Sequence, residues 1–153
     1  MSGHGLLAFS GPVQTEWLPD GVHMRVLAEI VYTDPNGHLW TVPAGFVTDG
    51  ASIPQEFWSL IGSPFTGLYR VAAVFHDAAY ANWGVLRDDA DNMLRAAMLD
   101  LGCSQWLADT IYEGVRLGGE VSYEGDQRSV APKVPAAPVT PSGGRAFALP
   151  AGP

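Results

Sequence analysis

Three residues able to move a proton or ligate an ion sit within five positions of an otherwise apolar run: His76, Asp77 and Tyr80 in Val71-Ala72-Ala73-Val74-Phe75-His76-Asp77-Ala78-Ala79-Tyr80. A histidine and an aspartate side by side in such a segment must each find a specific partner, because an unpaired buried polar group is costly. On a helix, His76 and Tyr80 are four apart and Asp77 and Tyr80 three apart, so the three share one stretch of surface. Adjacent residues project about 100° apart, so His76 can face one partner while Asp77 faces a loop or an ion. The plainer alternative is that both merely hydrogen-bond a neighbouring loop.

A second set of carboxylates follows in Asp88, Asp89 and Asp91. Acidic residues in a first helical turn are ordinarily explained by capping and the helix dipole. If the second helix packs antiparallel on the first, however, Asp91 can reach a ring nitrogen of His76 and fix its tautomer, making His76 a general base with an orienting carboxylate. Ser52, in the loop upstream, leaves a Ser52, His76, Asp91 triad as a lower-ranked alternative.

Other chemistries are excluded by pattern. There is no His-Glu-x-x-His zinc helix, no phosphate-cradling loop ending in Lys-Ser/Thr and no Gly-x-Ser-x-Gly elbow. Cys103 is the single cysteine, so neither an intrachain disulfide nor a cysteine-based zinc site can form. His4, His23 and His38 lack metal-ligand spacing to His76.

The elements that must position these groups can be read from periodicity. A helix over about 68–82 places Val71, Val74, Phe75 and Ala78 on one face, while the opposite face is also mostly apolar, predicting burial nearly all round. A second, over 88–101, opens with Asp88 as N-cap, carries Ala90, Met93, Leu94 and Ala97, and closes at Gly102. A third, over 104–117, carries Leu107, Ile111 and Val115 and stops at Gly118-Gly119. Upstream, residues 5–48 read as β-rich. A strand over 24–32, a turn at Asp34-Pro35-Asn36-Gly37 and a strand over 38–42 make a hairpin, and residues 43–54, with their glycines and prolines, make a shaped loop. The class expected is α+β, a small antiparallel sheet followed by a three-helix core.

The chain has 153 residues, 47% of them hydrophobic and 16% charged, enough apolar material for a real core. Its net charge of −8 includes one lysine, Lys133, which removes the electrostatic basis for coating a nucleic acid. No run approaches the ~20 apolar residues of a membrane span, and the N-terminus lacks a secretory pattern. Residues 126–153 carry Arg128, Lys133 and Arg145 against Asp126, a net +2 that leaves residues 1–125 at −10. Pro132, Pro135, Pro138 and Pro141 have polyproline II spacing. The expected organisation is one globular domain over 1–125 and an extended tail over 126–153, either a linker or a docking segment anchored by Phe147 and Leu149.

The order of motifs resembles a known family. The run Val42-Pro-Ala-Gly-Phe-Val-Thr-Asp-Gly-Ala-Ser-Ile-Pro54, then His76-Asp-x-x-Tyr80, Arg87-x-x-x-Asp91, Ala97-Met98 and Tyr112-x-x-Val-Arg-x-Gly118, resembles domain-of-unknown-function family 1353 of phages and prophages over roughly residues 10–122. More distantly it is similar to prokaryotic phospholipase A2. That likeness implies a phospholipase-A2-like helical core in which His76 activates water, Asp91 orients His76, and Asp77 ligates Ca²⁺ with loop carbonyls near Asp49 and Gly50; Tyr80, Ser52 and Tyr112 would support the site. Ala51 stands where the phospholipases have a loop cysteine. The expectation is a phage-encoded hydrolase-like protein, made in the host cytoplasm and incorporated in the virion, acting on an ester or amide of envelope lipid or cell wall. The alternative is a non-catalytic tail or neck component that docks on other virion proteins through residues 126–153.

Overall fold

The computed structural model describes residues 8–49, 59, 69–82 and 84–131. Five short strands come first: β1 (Thr15–Trp17), β2 (Met24–Val26), β3 (Ile30–Thr33), β4 (Leu39–Val42) and β5 (Val47–Thr48). Four helices follow among the described residues: α1 (Tyr69–Tyr80), α2 (Arg87–Asp100), α3 (Gln105–Gly118) and α4 (Glu120–Val130). The class is α+β, with small antiparallel sheets preceding the helices.

The strands form two sheets, β1-β2-β5 and β3-β4, all pairs antiparallel. The hairpin is β3-β4, with Tyr32 opposite Trp40. Its turn is held by Asp34, whose carboxylate accepts the backbone N–H groups of Asn36 and His38, and Gly37 supplies the positive φ of 82°. The strand expected over 24–32 is two strands. Met24 and Val26 are claimed by β1 on one side and β5 on the other, Leu27–Glu29 are exposed, and the chain re-enters as β3 in a different sheet. Ile30 and Tyr32 are buried in the same phase as Met24 and Val26, and only Ala28, in phase between them, is exposed, which is why the pattern reads as one strand.

α1 is buried at every position from Ala72 to Tyr80, so its polar residues are carried into the core. β4 packs on one side of it and α2 on another, and α3 packs on α2. Phe75, Leu94, Met98 and Ile111 fill the space between them, and Tyr32 from the hairpin stacks on Phe9 at 4.6 Å and bonds Asp100 at 2.7 Å. α2 starts at Arg87 with Leu86 as its N-cap, so Asp88 lies inside the first turn and is not the cap. Ser104 does cap α3, accepting the N–H of Leu107. Gly102 follows α2 at φ 92°, the left-handed position that ends many helices.

The largest departure from expectation is α4. Residues 120–130 are helical, so the described core has a fourth helix, and residues 126–130 are not extended chain. α4 has no fully buried residue and hence no apolar stripe to announce it. Polar contacts hold it instead. Tyr123 donates to the Val85 carbonyl at 2.7 Å, and the Gln127 amide donates to the carbonyls of Tyr80 and Asn82, both at 2.8 Å. The expected extended segment over 132–153 lies outside the described residues.

Candidate functional site

α1 and α2 bring His76 and Asp91 together, and neither side chain has any exposed surface. His76 Nε2 lies 2.7 Å from Asp91 Oδ1. One turn along α1, the Tyr80 hydroxyl donates to the same oxygen at 2.6 Å, its ring 4.2 Å from the imidazole. Arg116 of α3 donates to Asp91 Oδ2 at 2.9 Å, and Arg87 Nε stands 3.7 Å from that oxygen. Asp91 is thus the meeting point of three helices.

The surroundings set the protonation states. Burial by itself would raise the Asp91 carboxyl, but hydrogen bonds from His76, Tyr80 and Arg116 outweigh it and hold the group below its usual range, ionised. Burial lowers His76 below its ordinary value of 6.5; the bond to Asp91 opposes the shift, and the charge of Arg87 adds to it. Burial, then the bond to Asp91, raises Tyr80, which stays a phenol and a donor. An ionised carboxylate only accepts, so a neutral His76 carries its proton on Nε2 and its lone pair on Nδ1. That is the form in which an imidazole can take a proton.

Asp77, one residue on, faces elsewhere. It accepts the Thr48 hydroxyl from β5 and lines a cleft of about 250 Å³ with Thr48, Asp49, His23, Ser122 and Asp126. Asp49 lies 3.9 Å from His23 Nε2. Ser122 and Asp126, one turn apart on α4, form the far wall; burial and the nearby charge of Asp49 raise Asp126.

Calcium takes six or more oxygen ligands, and the carboxylates of Asp77 and Asp49 are donors of the right kind on one cleft. Among the described residues, though, no three His, Cys, Asp or Glu side chains converge closely enough to hold a metal ion. The described side chains do not of themselves form a Ca²⁺ site.

Of the residues singled out in the sequence, His76, Asp91 and Tyr80 form one buried cluster, and Asp77 and Asp49 line the adjoining cleft. Tyr112 sits half-buried on α3 and is not among the donors to Asp91; Arg116, one turn further, takes that place. Gly50, Ser52, Phe147 and Leu149 lie outside the described residues. Sequence reasoning did not assign roles to Arg87, Arg116 or Asp126. The first two stand in the motif around Asp91 and Val115, whereas Asp126 depends on an unforeseen helix.

Residues 24–115 match the family described as protein of unknown function (DUF1353). The chain belongs to that family. The match to it begins at β2 and ends one residue before Arg116, so it includes His76, Asp77, Tyr80 and Asp91 and leaves α4 beyond it. The chain is also similar to the uncharacterized protein y4jT of Sinorhizobium fredii, 39% identical over 92 residues, which are 60% of this chain and 27% of that protein. Uncharacterized protein y4iH of the same organism is 41% identical over 58 residues, 38% of this chain and 24% of that one. The chain thus matches about a quarter of the length of these relatives. No solved structure matches it.

Proposed function

We propose that this domain is a hydrolase-like module, phage-encoded and carried in the virion, in which His76 is a general base for water attacking an ester or amide of the host envelope. One observation carries the reading: His76 Nε2 lies 2.7 Å from Asp91 Oδ1 in the core, with Asp77, the neighbour of His76 in sequence, on the wall of a cleft. Asp91 orients the ring and stabilises the imidazolium that forms when Nδ1 accepts the water proton. Tyr80 limits rotation of the carboxylate by holding the same oxygen.

The test uses the full chain against phospholipid vesicles and cell-wall fragments. His76→Gln should abolish hydrolysis with the fold retained, Asp91→Asn should lower the rate by about 10²–10⁴-fold, and Ser52→Ala should have little effect because water is the nucleophile. Absence of hydrolysis in the wild type removes the proposal, and an acyl-enzyme trapped on Ser52 replaces it with the serine triad.

A second reading, a non-catalytic virion component docking through residues 132–153, is favoured by one feature: His76 and Asp91 have no exposed surface and tie three helices together. It expects chains ending at Ala131 to melt like the full chain and to fail to co-purify with phage particles.

A further inference from the structure

Asp91 has two oxygens with different tasks. Oδ1 takes both His76 Nε2 and the Tyr80 hydroxyl, and Oδ2 takes Arg116. The other donor facing Oδ2 is Arg87 Nε, 3.7 Å away and buried, without a hydrogen-bond partner. At that distance there is no hydrogen bond. An unpaired buried N–H beside a carboxylate pulls the carboxylate toward it, so something must hold Asp91 in its present rotation.

Arg116 is placed to do so. Its guanidinium bridges Asp91 Oδ2 at 2.9 Å and Asp88 Oδ1 at 2.8 Å, anchoring it from core to surface. Arg87 in turn donates to the carbonyls of Val115 and Arg116, at 2.8 and 2.6 Å, and so fixes the backbone on which Arg116 stands. Both of those bonds come from Nη2, which leaves Nε beside Asp91 without a partner.

We infer that Arg116 is a positioning residue for His76: by pinning Asp91 Oδ2 against the pull of Arg87 it keeps Oδ1 on Nε2 and the ring proton on that nitrogen. Arg116 touches no reacting atom and acts through Asp91. The inference deepens the hydrolase reading and rests on it for its consequence, since the tautomer decides which nitrogen can accept a proton. Without Arg116, Asp91 turns toward Arg87 Nε, the bond to Nε2 lengthens, and the second tautomer becomes populated.

The experiment reads the tautomer directly. In the ¹⁵N-labelled full chain at neutral pH, long-range ¹H–¹⁵N correlations should show His76 protonated on Nε2 alone, the signals being assigned by their loss in His76→Gln. In Arg116→Gln the second tautomer should appear, and in Arg116→Lys, which keeps a charged donor for Oδ2, the single tautomer should return. Where hydrolysis is measured, Arg116→Gln should lower kcat by about tenfold or more with KM little changed. A folded Arg116→Gln that keeps the pure Nε2–H tautomer overturns the inference. Should that variant not fold, Asp88→Ala removes the surface-end acceptor of Arg116 without touching the core: faster exchange of the Nε2 proton supports the inference, and an unchanged rate overturns it. An inactive wild type whose tautomer nevertheless responds to Arg116→Gln removes the hydrolase reading alone; an active wild type whose tautomer does not respond removes only the role of Arg116.

Discussion

Gly119 and the Tyr80 hydroxyl are so close that a Cβ on the glycine would lie 2.9 Å from that oxygen and 2.5 Å from the Val115 carbonyl. The junction between α3 and α4 is therefore packed directly against the tyrosine that donates to Asp91. Gly119→Ala should destabilise the protein by about 1–3 kcal/mol, because the neighbouring backbone oxygen cannot move cheaply. Gly125, inside α4 with open space around it, is the control: Gly125→Ala should stabilise by about 0.5–1 kcal/mol through helix propensity. Urea midpoints of the two variants check both, and equal effects would show that the close approach is not rigid.

Stability should fall on mild acidification. The folded His76 lies below its ordinary 6.5, so as pH drops below that value the unfolded chain takes up a proton that the native chain refuses. Its contribution is complete above 6.5 and is lost as pH falls toward the folded value. Asp91, held below its ordinary 3.8, adds a further loss at lower pH as it is protonated. Melting temperature against pH should therefore decline from about 6.5 downward, and in His76→Gln the first part of that decline should flatten. A wild-type curve level from pH 7 to 5 would count against a buried neutral His76.

Asp126 carries the opposite sign. Its raised carboxyl means that burial and Asp49 disfavour the charge, so Asp126→Asn should raise the melting temperature at pH 7, by an amount worth less than about 1 kcal/mol for this half-buried group. If the cleft serves a reaction, that variant should lose activity while gaining stability. A lower melting temperature would mean that Asp126 makes a favourable contact the charge balance does not capture.

Gln127 is the main polar tether of α4, donating to Tyr80 and Asn82 and accepting from the Gly84 N–H. Gln127→Ala should cost about 1–2 kcal/mol, since it strips partners from three backbone groups. A chain ending at Gly119 should lose at least as much. Thermal melts of both, beside a chain ending at Ala131, separate the contribution of the helix from that of the residues after it.

Much of this was legible in the residues themselves. The two-sided apolar run of α1 predicts a buried helix, and the presence of His76 inside it predicts a polar partner; Asp91 is in phase to be that partner on the next helix, and the two lie 2.7 Å apart. Ser104 and Gly102 punctuate α2 and α3 where local chemistry says they should. The failures have a common cause. The break at Leu27–Glu29 keeps the phase of the inward residues on either side, with the small Ala28 in phase but exposed between them, so only pairing with β1 and β5 reveals it. α4 has no apolar period because its contacts are made by Tyr123 and Gln127 to carbonyls some 40 residues away in sequence.

What the sequence determined by itself was local: which segments repeat with helical or strand period, where the chain turns, and which polar groups would enter the core needing partners. What only the tertiary structure decided was who meets those needs. Arg116 and not Tyr112 reaches Asp91, Arg87 Nε is left unpaired beside it, and α4 supplies a wall of the cleft that Asp77 lines. Periodicity is a property of one segment and can be read from neighbours. A hydrogen bond across 15 to 47 residues depends on the angle and depth at which whole helices pack, and no single segment carries that information.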